Sequence, residues 1–310
     1  MNIEIIMWVI FAVVIVASLF IDLFVMSNDE ISLKKAAKMT LCWVSIALLF
    51  GAGIFFSLGG QKALEYVTSY AVEYSLSIDN MFVFLFIFSY FNVEQKFQPK
   101  VLFYGIIGAI ILRFIFIFVG IQLINAFSWT IFVFGALLIY TGIKMLKGNH
   151  EDKKFDDNFA YKLLKKFLRF TDSPHKGKFF LRENNLLCAT SMFATVFVVE
   201  ISDIIFAVDS IPAVLSISSD EFIVFTSNIF AVIGLRSLYF LLSGLAGKFK
   251  FLKYGVAFIL FFIGLKMLCS EIIHIPTLIS LGVIVLTLSV SVVSSFVYDK
   301  CVLSSRKPKF

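Results

Sequence analysis

The chain has 310 residues, 60% of them apolar, 39 of them Phe and only 15% charged, with a formal net charge of +6. This composition excludes an ordinary water-soluble domain, in which about half of the residues are apolar and about a quarter charged. It also argues against a nucleic-acid partner, because the basic residues cluster in polar breaks between apolar runs, the pattern that reports membrane orientation.

Taken in chain order, the apolar runs predict nine transmembrane helices, near 3–26, 40–59, 67–91, 101–122, 126–146, 189–215, 222–244, 253–270 and 276–297. A helix rising about 1.5 Å per residue needs roughly 20 residues to cross about 30 Å of hydrocarbon, so most side chains have the lipid bilayer as their solvent. The first run is longer than a signal-peptide core, has no Lys or Arg before it and contains Asp22, and is read as a retained helix. The expected fold is an all-α, polytopic transmembrane bundle in one domain over 1–310. With Met1 outside, the inner loops collect Lys34, Lys35, Lys38, Lys96, Lys100, the basic stretch from Lys147 to Arg182, Lys248, Lys250 and Lys253, and the tail adds Lys300, Arg306, Lys307 and Lys309. Lys62 is the one basic residue in the outer loops. This places the N-terminus outside and the C-terminus in the cytoplasm. The polar linker from about 147 to 188 is expected as a connector, with Lys162, Lys165, Lys166 and Arg169 on a short amphipathic helix along the inner surface. Gly51, Gly53, Gly135 and Gly142 are read as helix-packing surfaces, and Met81 and Met192 as packing residues.

An internal repeat runs through the middle of the chain. Glu73-Tyr-Ser-Leu-Ser-Ile-Asp79-Asn80 aligns with Asp203-Ile-Ile-Phe-Ala-Val-Asp209-Ser210. Ile-Leu-Arg113-Phe aligns with Gly-Leu-Arg236-Ser, and Thr-Gly142-Ile-Lys-Met-Leu with Ile-Gly264-Leu-Lys-Met-Leu. The unit is three helices, third to fifth (about 67–146) and sixth to eighth (about 189–270). Three is odd, so consecutive copies enter the membrane from opposite sides and the repeat is expected to be inverted, as in many secondary transporters.

The acids of that repeat carry the chemistry. An ionised carboxylate near the bilayer centre costs at least about 2.5–3.5 kcal/mol, yet Glu73, Asp79, Glu200, Asp203 and Asp209 all fall within predicted spans. Glu73 and Asn80 share one helical face with Ser77 nearby, as do Asp203 and Ser210, whereas Asp79 and Asp209 point about 120° away. Local unwinding near Pro212 would bring all of them to one site. Carboxylates, an amide, hydroxyls and freed carbonyls suit the hard cations Mn²⁺, Mg²⁺ or Ca²⁺. Excess negative charge calls for a proton on one acid, hence protons as a counter-ion, or for pairing with Arg113 or Arg236. For the two arginines, ion-pairing or gating is the preferred role, and Asn228 can join either network. The bland alternative is that acids and arginines only fix helix register. Asp22 is either an outlying ligand or an interfacial acid, and Glu200 either touches the ion or supports those that do. The four cysteines, Cys42, Cys188, Cys269 and Cys301, stand at no CxxC spacing, and the three histidines, His150 and His175 among them, lie in or beside loops. No zinc, copper or haem site, no permanently bound cofactor and no enzymatic activity are expected.

The segments 73–80 and 200–213, followed by Thr-Ser-Asn-Ile-Phe-Ala at 226–231 and Gly-Leu-Arg-Ser-Leu-Tyr at 234–239, resemble the TerC family and especially its Alx-type branch, in order over nearly the whole chain. The resemblance implies a bacterial inner-membrane protein, Mn²⁺ efflux, and an association with tellurium resistance and redox modulation. It also implies that Glu73, Asp79, Asp203 and Asp209 are the essential acids.

Overall fold

The computed structural model describes residues 3–25, 32–91, 93–127, 129–146, 177–183, 186–244, 251–269 and 275–305. Ten α-helices make up almost all of it: α1 (Ile3–Val25), α2 (Leu33–Leu58), α3 (Gly60–Tyr90), α4 (Gln98–Ala126), α5 (Thr130–Leu146), α6 (Ser191–Leu215), α7 (Glu221–Ile233), α8 (Leu235–Ser243), α9 (Leu252–Leu268) and α10 (Thr277–Ser305). A 3-10 turn at Gln95–Phe97 precedes α4. Six of the helices are long and apolar enough to cross a membrane, and α7 with α8 forms a further span bent by 40°. The predicted nine is reached only by adding α5 and α9, which have 17 residues each.

The ends of the helices follow from local chemistry. Ser32 caps α2 by accepting a hydrogen bond from the Lys35 amide at 3.3 Å. Between α2 and α3 the chain turns on Gly59 alone, at φ +97°, a conformation that side chains disfavour. Asp220 caps α7, its carboxylate accepting from the amides of Phe222 and Ile223 at 3.0 and 3.2 Å.

Polarity is arranged for lipid. Large apolar side chains point outward, such as Phe56 at 85% exposure, while Glu73, Arg113, Asp203 and Asn228 are buried. A helix bundle in water shows the reverse. Apolar cores fill the rest of the interior, one of them a ring cluster of Phe11, Phe50 and Phe230 between α1, α2 and α7.

Three expectations need correction. No unwinding occurs at the acids: α3 runs unbroken through 73–80 and α6 through 200–215. Pro212 sits in the last turn of α6, where a missing amide forfeits one intrahelical bond, and Ser216 still donates to the Pro212 carbonyl at 3.0 Å. The break falls one span later, at Gly234 between α7 and α8. The end of the 147–188 connector is a small antiparallel hairpin, Phe180–Glu183 paired with Leu186–Ala189. Two short runs containing Phe and Leu on either side of Asn184-Asn185 are the signal for it. The expected amphipathic helix around Lys162–Arg169, together with His150 and His175, lies outside the described residues. Finally, Gly53 faces open space and packs against nothing.

Within the repeated region, α3 packs on α6, α4 on α6, α7 on α3, α4 on α7, and α5 on α9. Exchanging the first three-helix segment for the second swaps the α4–α6 and α3–α7 pairings and leaves the other three as they are. The α5–α9 crossing shows it at atomic scale. A Cβ on Gly142 would lie 2.8 Å from the Ala257 carbonyl, and one on Gly264 would lie 2.7 Å from the Gly135 carbonyl. Gly142 and Gly264 occupy the same place in the repeat, and Gly135 and Ala257 stand seven residues before them, so the two contacts interchange. Gly264→Ala and Gly142→Ala are expected to lower stability by about 1–3 kcal/mol each through overpacking. Gly53→Ala should cost nothing, and thermal unfolding in detergent separates the two classes.

A candidate ion site built around Arg113

Arg113 stands midway along α4 with no solvent exposure. All three nitrogens of its guanidinium donate hydrogen bonds. Nε and Nη2 grip the Asp203 carboxylate in a fork, at 3.2 Å to Oδ2 and 3.1 Å to Oδ1. Nη1 donates to Glu73 Oε1 and, at 2.9 Å, to Asn228 Oδ1. Asn228 Nδ2 then donates to Glu73 Oε2 at 3.0 Å. Arginine can only donate and carboxylate can only accept, so the amide orientation of Asn228 is dictated by its neighbours. Every carboxylate oxygen of the pair has a donor, and four helices, α3, α4, α6 and α7, meet at this one group. The group sets two carboxylates against a single guanidinium.

Oxygens to spare lie close along the same helices. Ser77 is one turn from Glu73 and Ser210 two turns from Asp203, and both hydroxyls are buried without a hydrogen-bond partner among the described residues. Glu200 is three residues before Asp203, and its carboxylate presses on the backbone of Gly108 in α4. Its Oε2 is buried and unbonded. A side chain at 108 would occupy the same space as this carboxylate, so Gly108 makes the room for it.

The other acids stand elsewhere. Asp209, half-buried on α6, accepts a hydrogen bond from Thr141 of α5 at 3.0 Å. This matches its rotation of about 120° from Asp203. Among the described residues no three Asp, Glu, His or Cys side chains gather closely enough to hold a metal ion. The compact set of acids expected from the repeat is therefore divided between the Arg113 network and Asp209. Asn80 is half-buried on α3. Arg236 is buried at the start of α8, two residues past the break. The side chains of Asp79 and Asp22 lie outside the described residues. Sequence reasoning missed Thr141 and Gly108; a hydroxyl immediately before the repeated Gly142, in an otherwise apolar run, was the available signal for the first.

At the end of the bundle where α3 begins, Lys62 forms an ion pair with Asp220, and Ser218 donates to Glu65 Oε2 at 2.7 Å. The two contacts tie α3 to the start of α7.

Removing one member of a buried ion pair costs about 3–5 kcal/mol, chiefly because the opposite charge is left uncompensated. Arg113→Met is accordingly expected to destabilise the protein by about that much, and adding Glu73→Gln and Asp203→Asn to it should restore a large part. Melting curves of the purified protein in detergent provide the comparison. An equal loss in the single and triple variants would show that packing, not charge, is what Arg113 supplies.

Residues 58–302 match the integral membrane protein TerC family. The chain is 45% identical over 298 residues to a Salmonella typhi protein described as a candidate membrane-bound redox modulator, Alx, covering 93% of this chain and 92% of that one. It is 43% identical over 309 residues to the protein of the same description in Escherichia coli K12, covering 95% and 96%. An uncharacterized membrane protein of Rickettsia bellii is 39% identical over 292 residues, covering 94% and 97%. No solved structure matches the chain. A family match over most of the chain, joined to several apolar helices around a buried polar centre, establishes a multi-pass membrane protein belonging to the integral membrane protein TerC family.

Proposed function

We propose that the chain is a secondary transporter that exports Mn²⁺ across the bacterial inner membrane, with the N-terminus outside, the C-terminus in the cytoplasm and protons as the counter-ion. The observation that carries this reading is the Arg113 network, two buried carboxylates against one guanidinium where four helices meet, with oxygens of Glu200, Ser77 and Ser210 that have no partner among the described residues on two of the same helices. A framework that needed only to fix helix register would gain from neutrality. This one sets two acids against one base.

Arg113 acts as a tethered cation. In the ion-free state its guanidinium neutralises part of the charge of Glu73 and Asp203, which lets the empty site be carried through the apolar interior. An arriving Mn²⁺ competes for the same oxygens, and protonation of one acid adjusts the balance between loaded and empty states. The interchange of contacts between the two three-helix units supports an inverted repeat, and with it alternating access by rocking one unit against the other. Asp209, bonded to α5 rather than to the network, connects the site to the Gly135–Gly264 crossing on which such rocking would turn.

The description of the relatives as redox modulators favours a second reading, in which the protein alters membrane redox balance or tellurite resistance directly. Electron-carrying groups would then come from a partner, because the four cysteines stand at no CxxC spacing. Mn²⁺ uptake into inside-out vesicles decides between the readings. Wild-type protein should give flux above empty vesicles, and Asp203→Asn and Asp209→Asn should each reduce it by about tenfold or more. Competition by Ca²⁺ and Mg²⁺ ranks the cargo. Flux that is absent in the wild type, or unchanged in both variants, would remove the transporter reading. Replacing Lys162, Lys165, Lys166 and Arg169 with Gln should leave flux intact, whereas an assembly factor working through that linker would be crippled.

A further inference from the structure

A cavity of about 780 Å³ opens at the end of the bundle where α3 finishes and α4 begins, with Ser89, Glu94, Gln98, Tyr239 and Ser243 in its wall. This is the end that carries Lys34, Lys35, Lys38, Lys96 and Lys100. Deeper along α4 lies a separate void of about 10 Å³, bounded by Phe84, Gly105, Ala109, Leu235 and the carboxylate-bearing Asp203. The two hollows share one stripe of α4. Gln98 borders the cavity, Leu102, Gly105 and Ala109 border the void, and Arg113 follows, at spacings of three and four that keep one helical face. Fifteen residues separate Gln98 from Arg113, a rise of about 22 Å.

Aromatic rings line both hollows. Phe88 meets Tyr239 edge to face with ring centroids 5.2 Å apart, and the Tyr239 hydroxyl donates to Gln98 Oε1 at 3.1 Å. One turn deeper, Phe84 borders the void, its ring 6.3 Å from that of Phe206. A site must offer about 10–15 Å³ to hold a single water, so the void admits no hydrated ion in this conformation. Gly105 and Ala109 share the wall of the void with Leu102, Ile106, Val199 and Leu235, and a Cβ on Gly105 would already stand 3.1 Å from Val199. Phe84 is the largest side chain in that wall and the one aromatic ring among the residues that line it. At the far end the Lys62–Asp220 ion pair and the Glu65–Ser218 hydrogen bond hold α3 to α7, and a cavity of about 340 Å³ next to Glu4 and Trp8 has that ion pair in its wall.

We infer that the cavity at the basic end is the ion's way in to Asp203, and that Phe84 is the side chain that shuts it. The inference rests on the transporter reading for the identity of the ion, but the route itself is a statement about access. A hydrophobic ring at a constriction blocks an ion by excluding its water, and rotation of that ring joins the cavity to the void with no change in the Arg113 network. Loading from the basic end is what an exporter with cytoplasmic basic loops requires.

The test is cysteine accessibility in membrane vesicles, with a parent in which Cys42, Cys188, Cys269 and Cys301 are Ser. Single cysteines replace Ser89 in the cavity and Ala109 in the void, and the probe is a membrane-impermeant cationic methanethiosulfonate applied to either side. The Ser89→Cys protein should label rapidly from the basic end. The Ala109→Cys protein should label slowly from that end, and at least about tenfold faster when Phe84 is also replaced by Ala, because labelling follows the open fraction. Phe84→Leu, a smaller change, should give an intermediate rate and guards against a fold that does not tolerate Ala. Labelling of Ala109→Cys that ignores both Phe84 variants, or that is faster from the opposite end, would overturn the route. If Phe84 controls labelling while Mn²⁺ fails to slow it, the route stands and the manganese reading falls.

Discussion

Burying a guanidinium at the centre of an apolar bundle is the constraint on which the rest of this structure depends. A lone Arg in hydrocarbon is untenable, so Arg113 dictates that Glu73, Asp203 and Asn228 converge on it from three other helices. Those side chains in turn set the rotation of α3, α6 and α7 about their axes. In a membrane there is little hydrophobic drive to hold helices together, and a hydrogen-bonded polar junction supplies both the cohesion and the register that apolar packing alone leaves loose.

The same junction is a poor choice if stability were its sole purpose. A neutral hydrogen-bonded pair would lock four helices with less desolvation cost. Under the proposed function, the second carboxylate, Glu200 pressed against Gly108 and the hydroxyls of Ser77 and Ser210, unpartnered among the described residues, are what a cation would draw on. Under that proposal, stability and function draw on one group of atoms.

Much of this was legible in the sequence because lipid imposes simple rules. Apolar runs located the spans, and the rarity of charges inside them singled out Glu73, Arg113, Asp203 and Asp209 before any contact was visible. What stayed illegible was whatever depends on which face meets which. The 40° bend at Gly234 leaves that residue in an ordinary helical conformation, φ −69° and ψ −14°, inside an apolar run with no marker beyond the glycine. Pro212, the louder signal, sits where a helix is ending anyway. That Asp209 turns to Thr141 rather than to the other acids follows from its rotation on α6, which the spacing showed, and from the nearness of α5, which it could not show.

The two short helices carry a consequence of their own. At 17 residues, α5 and α9 rise about 26 Å, against about 30 Å for the hydrocarbon of an average bilayer. They pack on each other with outward-facing Val133, Tyr140, Phe258 and Leu265, so the mismatch is concentrated along one flank of the bundle. Acyl chains there must compress or the paired helices must tilt, each at a fraction of a kcal/mol per Å. Lipid chain length therefore bears first on the α5–α9 crossing lined by Gly135, Gly142 and Gly264.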